Sequence, residues 1–154
     1  MEYRRLGATD LNVSRLCFGA LTISPLQRDL PIRAGAEIIL HAFDQGVNFI
    51  DTSQFYRAYP PIRAALKQYS QRDEIIIATK SYAYDKKGMK DSLDDALRAL
   101  ERDYIDIFLL HEQESMLTIK GHWEAVECLV DAKKSGLVRA IGISTHYVEG
   151  VRAA

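Results

Sequence analysis

Four side chains in this sequence have the types and spacing to do chemistry together. Asp51, Lys80 and His111 each follow a short apolar run, over residues 47–50, 75–79 and 105–110, and Tyr56 stands five residues after the aspartate. Buried strands of parallel sheets read as continuous apolar runs, and α/β enzymes keep their chemistry just past the carboxyl ends of such strands. A phenol, with an ordinary pKa of about 10, is too weak an acid at neutral pH unless a nearby cation favours the phenolate. Lys80 could be that cation and Asp51 the anion that holds it. His111 could hydrogen-bond a carbonyl oxygen beside the tyrosine hydroxyl. Such a proton-donating oxyanion site suits the reduction of an aldehyde or ketone, where an incoming hydride puts negative charge on oxygen and a positioned acid quenches it. No side chain can supply a hydride, so a cofactor must.

Each residue also has a plainer reading. Asp51-Thr52-Ser53 could cap a loop, Tyr56 could pack, Lys80 could be solvated, and His111 could be a satisfied histidine at a strand end. A second chemistry uses the same lysine: Lys80 could form a Schiff base and act as an aldolase, which borohydride trapping with a carbonyl substrate would reveal. A metal hydrolase built on His111, Glu112 and Glu114 has less support, because its ligands sit in one loop with no second cluster at metal spacing. No metal site is expected.

The elements that must position these residues follow from periodicity. A turn at Gly7-Ala8-Thr9-Asp10 predicts a short hairpin over residues 2–16, leading into a first strand at Leu16-Cys17-Phe18 that Gly19 ends. Pro31 is placed to open a helix in which Ile32, Ala36, Ile39, Leu40 and Phe43 share a face and Gly46 is the stop. Ala58-Tyr59-Pro60-Pro61 reads as a rigid connection before a second helix with Ile62, Ala65, Leu66 and Tyr69 on one face. Met89, Leu93, Ala96, Leu97 and Leu100 mark a third helix. A loop and a fourth helix follow, with Trp123, Val126, Leu129, Val130 and Lys133 along its stripe and Gly136 as its stop. The fifth strand is expected over residues 138–143, and 147–154 look like the opening of a fifth helix.

Asp51, Lys80, His111 and Ser144 recur at about thirty residues, the length of one strand-plus-helix unit. Repeating βα units give an open doubly wound sheet or a closed (β/α)8 barrel. An open dinucleotide fold should carry a G-x-G-x-x-G turn, and the nine glycines contain none. The barrel is therefore favoured. A complete one takes about 250 residues, so the 154 present are read as a single partial domain, residues 1–154, of about five units. Either it is a fragment of a longer barrel or it is a half that self-associates through unpaired apolar sheet edges.

Composition narrows the partners. With 47% apolar and 27% charged residues and a net charge of -1, the chain has no electrostatic footprint for nucleic acid or anionic lipid. No apolar run is long enough to cross a bilayer. Cys17 and Cys128 lie in apolar surroundings without C-x-x-C spacing, which predicts buried thiols and a reducing cytoplasm.

Asp51-Thr52-Ser53-Gln54-Phe55-Tyr56, Ile77-Ala78-Thr79-Lys80, the stretch 103–111 and Gly142-Ile143-Ser144 resemble, in order and spacing, the signatures of the aldo-keto reductase superfamily. Tyr3-Arg4-Arg5-Leu6-Gly7 and Arg15-Leu16-Cys17-Phe18-Gly19 resemble its N-terminal hairpin and first strand. The resemblance implies a (β/α)8 barrel that binds NADPH, less often NADH, at its C-terminal rim and reduces a small carbonyl substrate. It implies a catalytic tetrad of Asp51, Tyr56, Lys80 and His111 with Tyr56 as general acid. It further implies cofactor contacts from Gly19, Ala20, Leu21, Asp51, Ser144 and Thr145, the last standing where the family commonly has asparagine. After Tyr56, Arg57-Ala58-Tyr59-Pro60 replaces a commoner Gly-rich continuation. In the family the grip on the pyrophosphate and adenosine lies in later strands, so these 154 residues are expected to bind cofactor weakly and turn over slowly or not at all. The alternative is a non-catalytic half-barrel or interaction module.

Overall fold

A computed structural model describes residues 1–154. The chain enters through an antiparallel hairpin of β1 (Tyr3–Arg5) and β2 (Asn12–Ser14). Five strands then form one sheet in chain order: β3 (Phe18–Gly19), β4 (Phe49–Asp51), β5 (Ile76–Ser81), β6 (Ile105–Leu110) and β7 (Val138–Ile143). Between or after them lie α1 (Ile32–Asp44), α2 (Tyr59–Gln68), α3 (Lys86–Leu100), α4 (Met116–Gly121), α5 (Trp123–Lys134) and α6 (Val148–Ala153). Parallel strands joined by helical crossovers are the pattern of the (β/α)8 TIM-type barrel, carried here through five strands. The chain divides into two compact units, Met1–Ala78 with Ala99–Glu101, and Thr79–Arg98 with Arg102–Ala154.

In the first unit α1 packs on α2. The contact buries Ala36, Ile39 and Phe43 on one helix and Ile62, Ala65 and Leu66 on the other, each large side chain contributing about 1.5–3 kcal/mol. A Cβ on Gly35 would lie 2.9 Å from the Pro61 Cβ, so the small residue sets how closely the helices approach. Gly46, at φ 86°, takes the left-handed turn that stops α1. The hairpin is pinned beside that turn. Ser14 N–H donates to Asn48 Oδ1 at 2.7 Å, Asn48 N–H to Ser14 Oγ at 3.2 Å, and the Tyr3 hydroxyl to the Gly46 carbonyl at 2.8 Å.

Four sequence expectations shift here. The first core strand begins at Phe18, because the Ser14 hydroxyl binds the Leu16 carbonyl at 2.6 Å and bends the chain, leaving Leu16 and Cys17 exposed. Cys17 is thus not the buried thiol expected. Ile32 is exposed too, since the covered face of α1 starts one turn later at Gly35 and Ala36. Pro60 and Pro61 belong to the first turn of α2 rather than to a connection before it. The N–H groups of a first turn have no acceptor within the helix, so proline sacrifices no bond there.

In the second unit β6 and β7 pair in parallel, Ile105 opposite Val138 through Leu110 opposite Ile143. Met89, Leu93 and Ala96 bury one face of α3, while Lys87–Asp91 and Lys90–Asp94 pair at i,i+4 on its solvent face. α5 packs on β7 and buries Ala125, Cys128, Leu129 and Ala132. The expected stripe is therefore rotated, and Trp123 is exposed. The loop expected before α5 contains α4, started by a capping box in which Ser115 and Thr118 satisfy each other's backbone N–H. No helix is long and apolar enough to cross a membrane.

Candidate active site

β4 delivers Asp51 as its last residue, half-buried and in register with Gly19 and Ala78. The ladder runs one residue further, because Thr52 N–H donates to the Ala78 carbonyl at 2.8 Å. Ser53 then caps a 3-10 turn over Gln54–Tyr56, its Oγ accepting from Phe55 N–H at 3.2 Å. Tyr56, half-buried, ends that turn, its own N–H bonded to the Ser53 carbonyl at 3.1 Å. Arg57 leaves at φ 57°, in the left-handed region that favours glycine. This is where the sequence departs from the Gly-rich continuation. Gly19 ends β3, and a Cβ built there meets nothing within 4 Å, so the protein's own packing does not demand a glycine. Ala20 and Leu21 open a 3-10 turn over Ala20–Ile23, with Ala20 buried.

In the second unit Lys80 lies inside β5 as its penultimate residue, 5% exposed, where the apolar run predicts it just beyond the strand. β5 extends because Ser81 is accommodated by two neighbours: its Oγ lies 2.8 Å from Ser92 Oγ, and its carbonyl accepts from His111 N–H at 3.0 Å. His111, 3% exposed, directly follows β6. Its carbonyl accepts from Gln113 Nε2 at 3.0 Å. Its imidazole stacks on Tyr82 with centroids 4.1 Å apart and planes 23° from parallel. The Tyr82 hydroxyl donates to Glu112 Oε2 at 2.5 Å, and Glu112 Oε1 lies 3.4 Å from His146 Nε2.

Ser144 follows β7 and ties this corner together. Its N–H donates to the Leu110 carbonyl at 2.8 Å, its carbonyl accepts from Gln113 N–H at 2.7 Å, and its Oγ accepts from Glu112 N–H at 2.8 Å. Thr145 is used locally: its hydroxyl closes a turn on Tyr147, accepting from its N–H at 3.0 Å. The Tyr82 hydroxyl holds the Glu112 carboxyl below the usual carboxylate range, with His111 and His146 assisting and partial burial opposing.

The first unit thus gathers Asp51 and Tyr56, and the second gathers Lys80, His111 and Ser144 at neighbouring strand ends. Sequence reasoning missed Tyr82 and treated Glu112 only as a metal ligand. The one available signal was alternation: Tyr82 stands two residues after Lys80, a spacing that keeps to one side of an extended chain.

The sequence model of the Aldo/keto reductase family matches residues 15–154. The chain is 30% identical over 164 residues to aldo-keto reductase YhdN of Bacillus subtilis, spanning 97% of this chain and 48% of that protein. It is 34% identical over 111 residues to methylglyoxal reductase DkgA of Escherichia coli, spanning 71% of this chain and 40% of that one. Among solved structures, the holo form of an aldo-keto reductase from Bacillus halodurans superposes with a TM-score of 0.80 at 28% identity, covering 95% of this chain and 51% of that one. This chain belongs to the aldo-keto reductase family. It spans about half the length of the curated relatives it matches.

Proposed function

We propose that this chain carries the chemical site of an NAD(P)H-dependent reductase that converts a small aldehyde or ketone to the alcohol, with Tyr56 as general acid. The observation that carries the reading is the placement of Asp51, Lys80 and His111 at the ends of β4, β5 and β6, with Tyr56 one turn past β4, in a chain matched to the family from residue 15 to 154. The match over residues 15–154 also supports taking the chain as one partial domain.

The nicotinamide cofactor, when bound, supplies the hydride. Tyr56 gives its phenolic proton to the carbonyl oxygen as charge builds there. By the family resemblance, the Lys80 ammonium would favour the resulting phenolate, Asp51 would steady that ammonium, and His111 would hydrogen-bond the same carbonyl oxygen. The cofactor-side residues suit a nicotinamide nucleotide. Gly19 leaves open space at the end of β3, beside Ala20 and Leu21. Ser144 accepts from Glu112 N–H through its oxygen and keeps its hydroxyl hydrogen for a carboxamide. Thr145, engaged in its turn, would act through backbone placement. NADPH is the expected form and NADH the lesser one. We assign these 154 residues weak cofactor binding and slow turnover, in a cytoplasmic setting. The unpaired sheet edges, β3 and β7, are the surfaces assigned to self-association.

Aldehyde-dependent oxidation of NADPH, followed alongside light scattering, tests the reading. Slow oxidation is expected. Silence at every cofactor concentration would favour the non-catalytic half-barrel, and borohydride trapping on Lys80 would favour the aldolase.

A further inference from the structure

We propose that Tyr82 and Glu112 are positioning residues that fix the imidazole of His111, Tyr82 as the platform and Glu112 as the clasp that stops the platform turning. The service His111 gives to a carbonyl oxygen rests on the reductase reading above, whereas the clasp itself does not.

A tyrosine 45% exposed, as Tyr82 is, would ordinarily exchange rotamers in solvent. Both of its ends are held instead. Its ring face lies against the imidazole at 4.1 Å and 23°, a stacked geometry that fixes the plane of His111 while leaving the ring nitrogens at the edge able to hydrogen-bond. Its hydroxyl donates to Glu112 Oε2 at 2.5 Å, a bond shortened by the charge on the acceptor.

Consecutive residues reach the face and the hydroxyl of one tyrosine only because the backbone turns sharply between them. Glu112 sits at φ 52°, a conformation L side chains rarely adopt. Ser144 holds it there, its Oγ taking Glu112 N–H at 2.8 Å and its carbonyl taking Gln113 N–H at 2.7 Å. Strain maintained by specific bonds next to a reactive group points to a use for the strained arrangement. Here the use is to aim one imidazole.

The test is nuclear magnetic resonance of the histidine ring protons in the intact chain, with the His111 signal assigned by its loss in His111→Asn. Stacking on Tyr82 should place that signal upfield of His41, His122 and His146. Tyr82→Leu should move it downfield and broaden it, Tyr82→Trp should restore an upfield position, and Glu112→Ala should broaden it while Glu112→Gln, which keeps an acceptor for the hydroxyl, should resemble the wild type. If Tyr82→Leu does not fold, as judged by the other three histidine signals, Glu112→Ala against Glu112→Gln decides. An unchanged His111 signal in Glu112→Ala or in folded Tyr82→Leu overturns the proposal. No cofactor or turnover enters the readout, so loss of the reductase reading would leave this result standing, and the reverse.

Discussion

The carboxylate of Asp106 lies 2.9 Å from the Arg139 guanidinium, with its side chain 2% exposed, and a second guanidinium from Arg102, 3% exposed, stands 3.6 Å away. These charges sit near the N-terminal ends of β6 and β7, the ends away from His111 and Ser144. Removing the shared anion strands buried positive charge. Asp106→Ala is expected to cost about 3–5 kcal/mol, read from urea midpoints at unchanged slope. A loss below about 1 kcal/mol, the scale of an exposed pair, would mean that the cluster is more solvated than its burial indicates.

Arg57 occupies left-handed backbone as a residue with a Cβ, a penalty of about 1–2 kcal/mol set against the greater unfolded-state freedom of glycine. Arg57→Gly should therefore be neutral to about 1 kcal/mol stabilising, and Arg57→Val should destabilise. Thermal midpoints of the two variants measure this directly. A clear loss of stability in the glycine variant would show that the Arg57 side chain does more than the backbone penalises.

Glu112 gives a pH dependence with a definite sign. Its carboxyl is held below the usual range in the folded chain, chiefly by the Tyr82 hydroxyl, so the unfolded chain binds that proton more readily. The stability it contributes is complete above its unfolded value of about 4.3 and is lost as pH falls through the lower folded value. At 44% side-chain exposure the contribution is modest and salt-screened. The gap between wild type and Glu112→Gln should close on acidification through the carboxylate range. A gap that widens in acid contradicts the assignment.

Cofactor affinity is the fourth prediction. Fluorescence titration should give NADPH binding weaker than micromolar, weakened further in Ser144→Ala if the free hydroxyl hydrogen of Ser144 meets the carboxamide. Micromolar binding by a monomer would show that these residues alone grip the cofactor, contrary to the assignment made above.

The sequence reveals most where one physical rule acts alone. β6 and β7 are legible to the residue because both are continuous apolar or alternating runs bounded by clear stops, and the parallel order follows from βα spacing. Boundaries shift where local bonds compete with the pattern: the Ser14 hydroxyl delays the first core strand to Phe18, and the Ser115–Thr118 box turns an expected loop into α4. Lys80 falls inside its strand because pairing at Ser81 prolongs β5 past its apolar run. The strand-end residues were found by position alone. Tyr82 and the bonded role of Glu112 were not, since alternation places Tyr82 on the side of Lys80 but a ring stack and a left-handed backbone residue arise from tertiary contact.

The most direct measurement is the rate of NADPH oxidation driven by an aromatic aldehyde, at high chain concentration and saturating cofactor, for the wild type and for Tyr56→Phe. The phenylalanine variant removes one oxygen and with it the proposed acid. Slow reduction by the wild type and a fall of about 100-fold or more in the variant are predicted. Equal rates in the two proteins, or no reduction by the wild type at any cofactor concentration, would contradict the assignment of Tyr56 as the proton donor of a working reductase site.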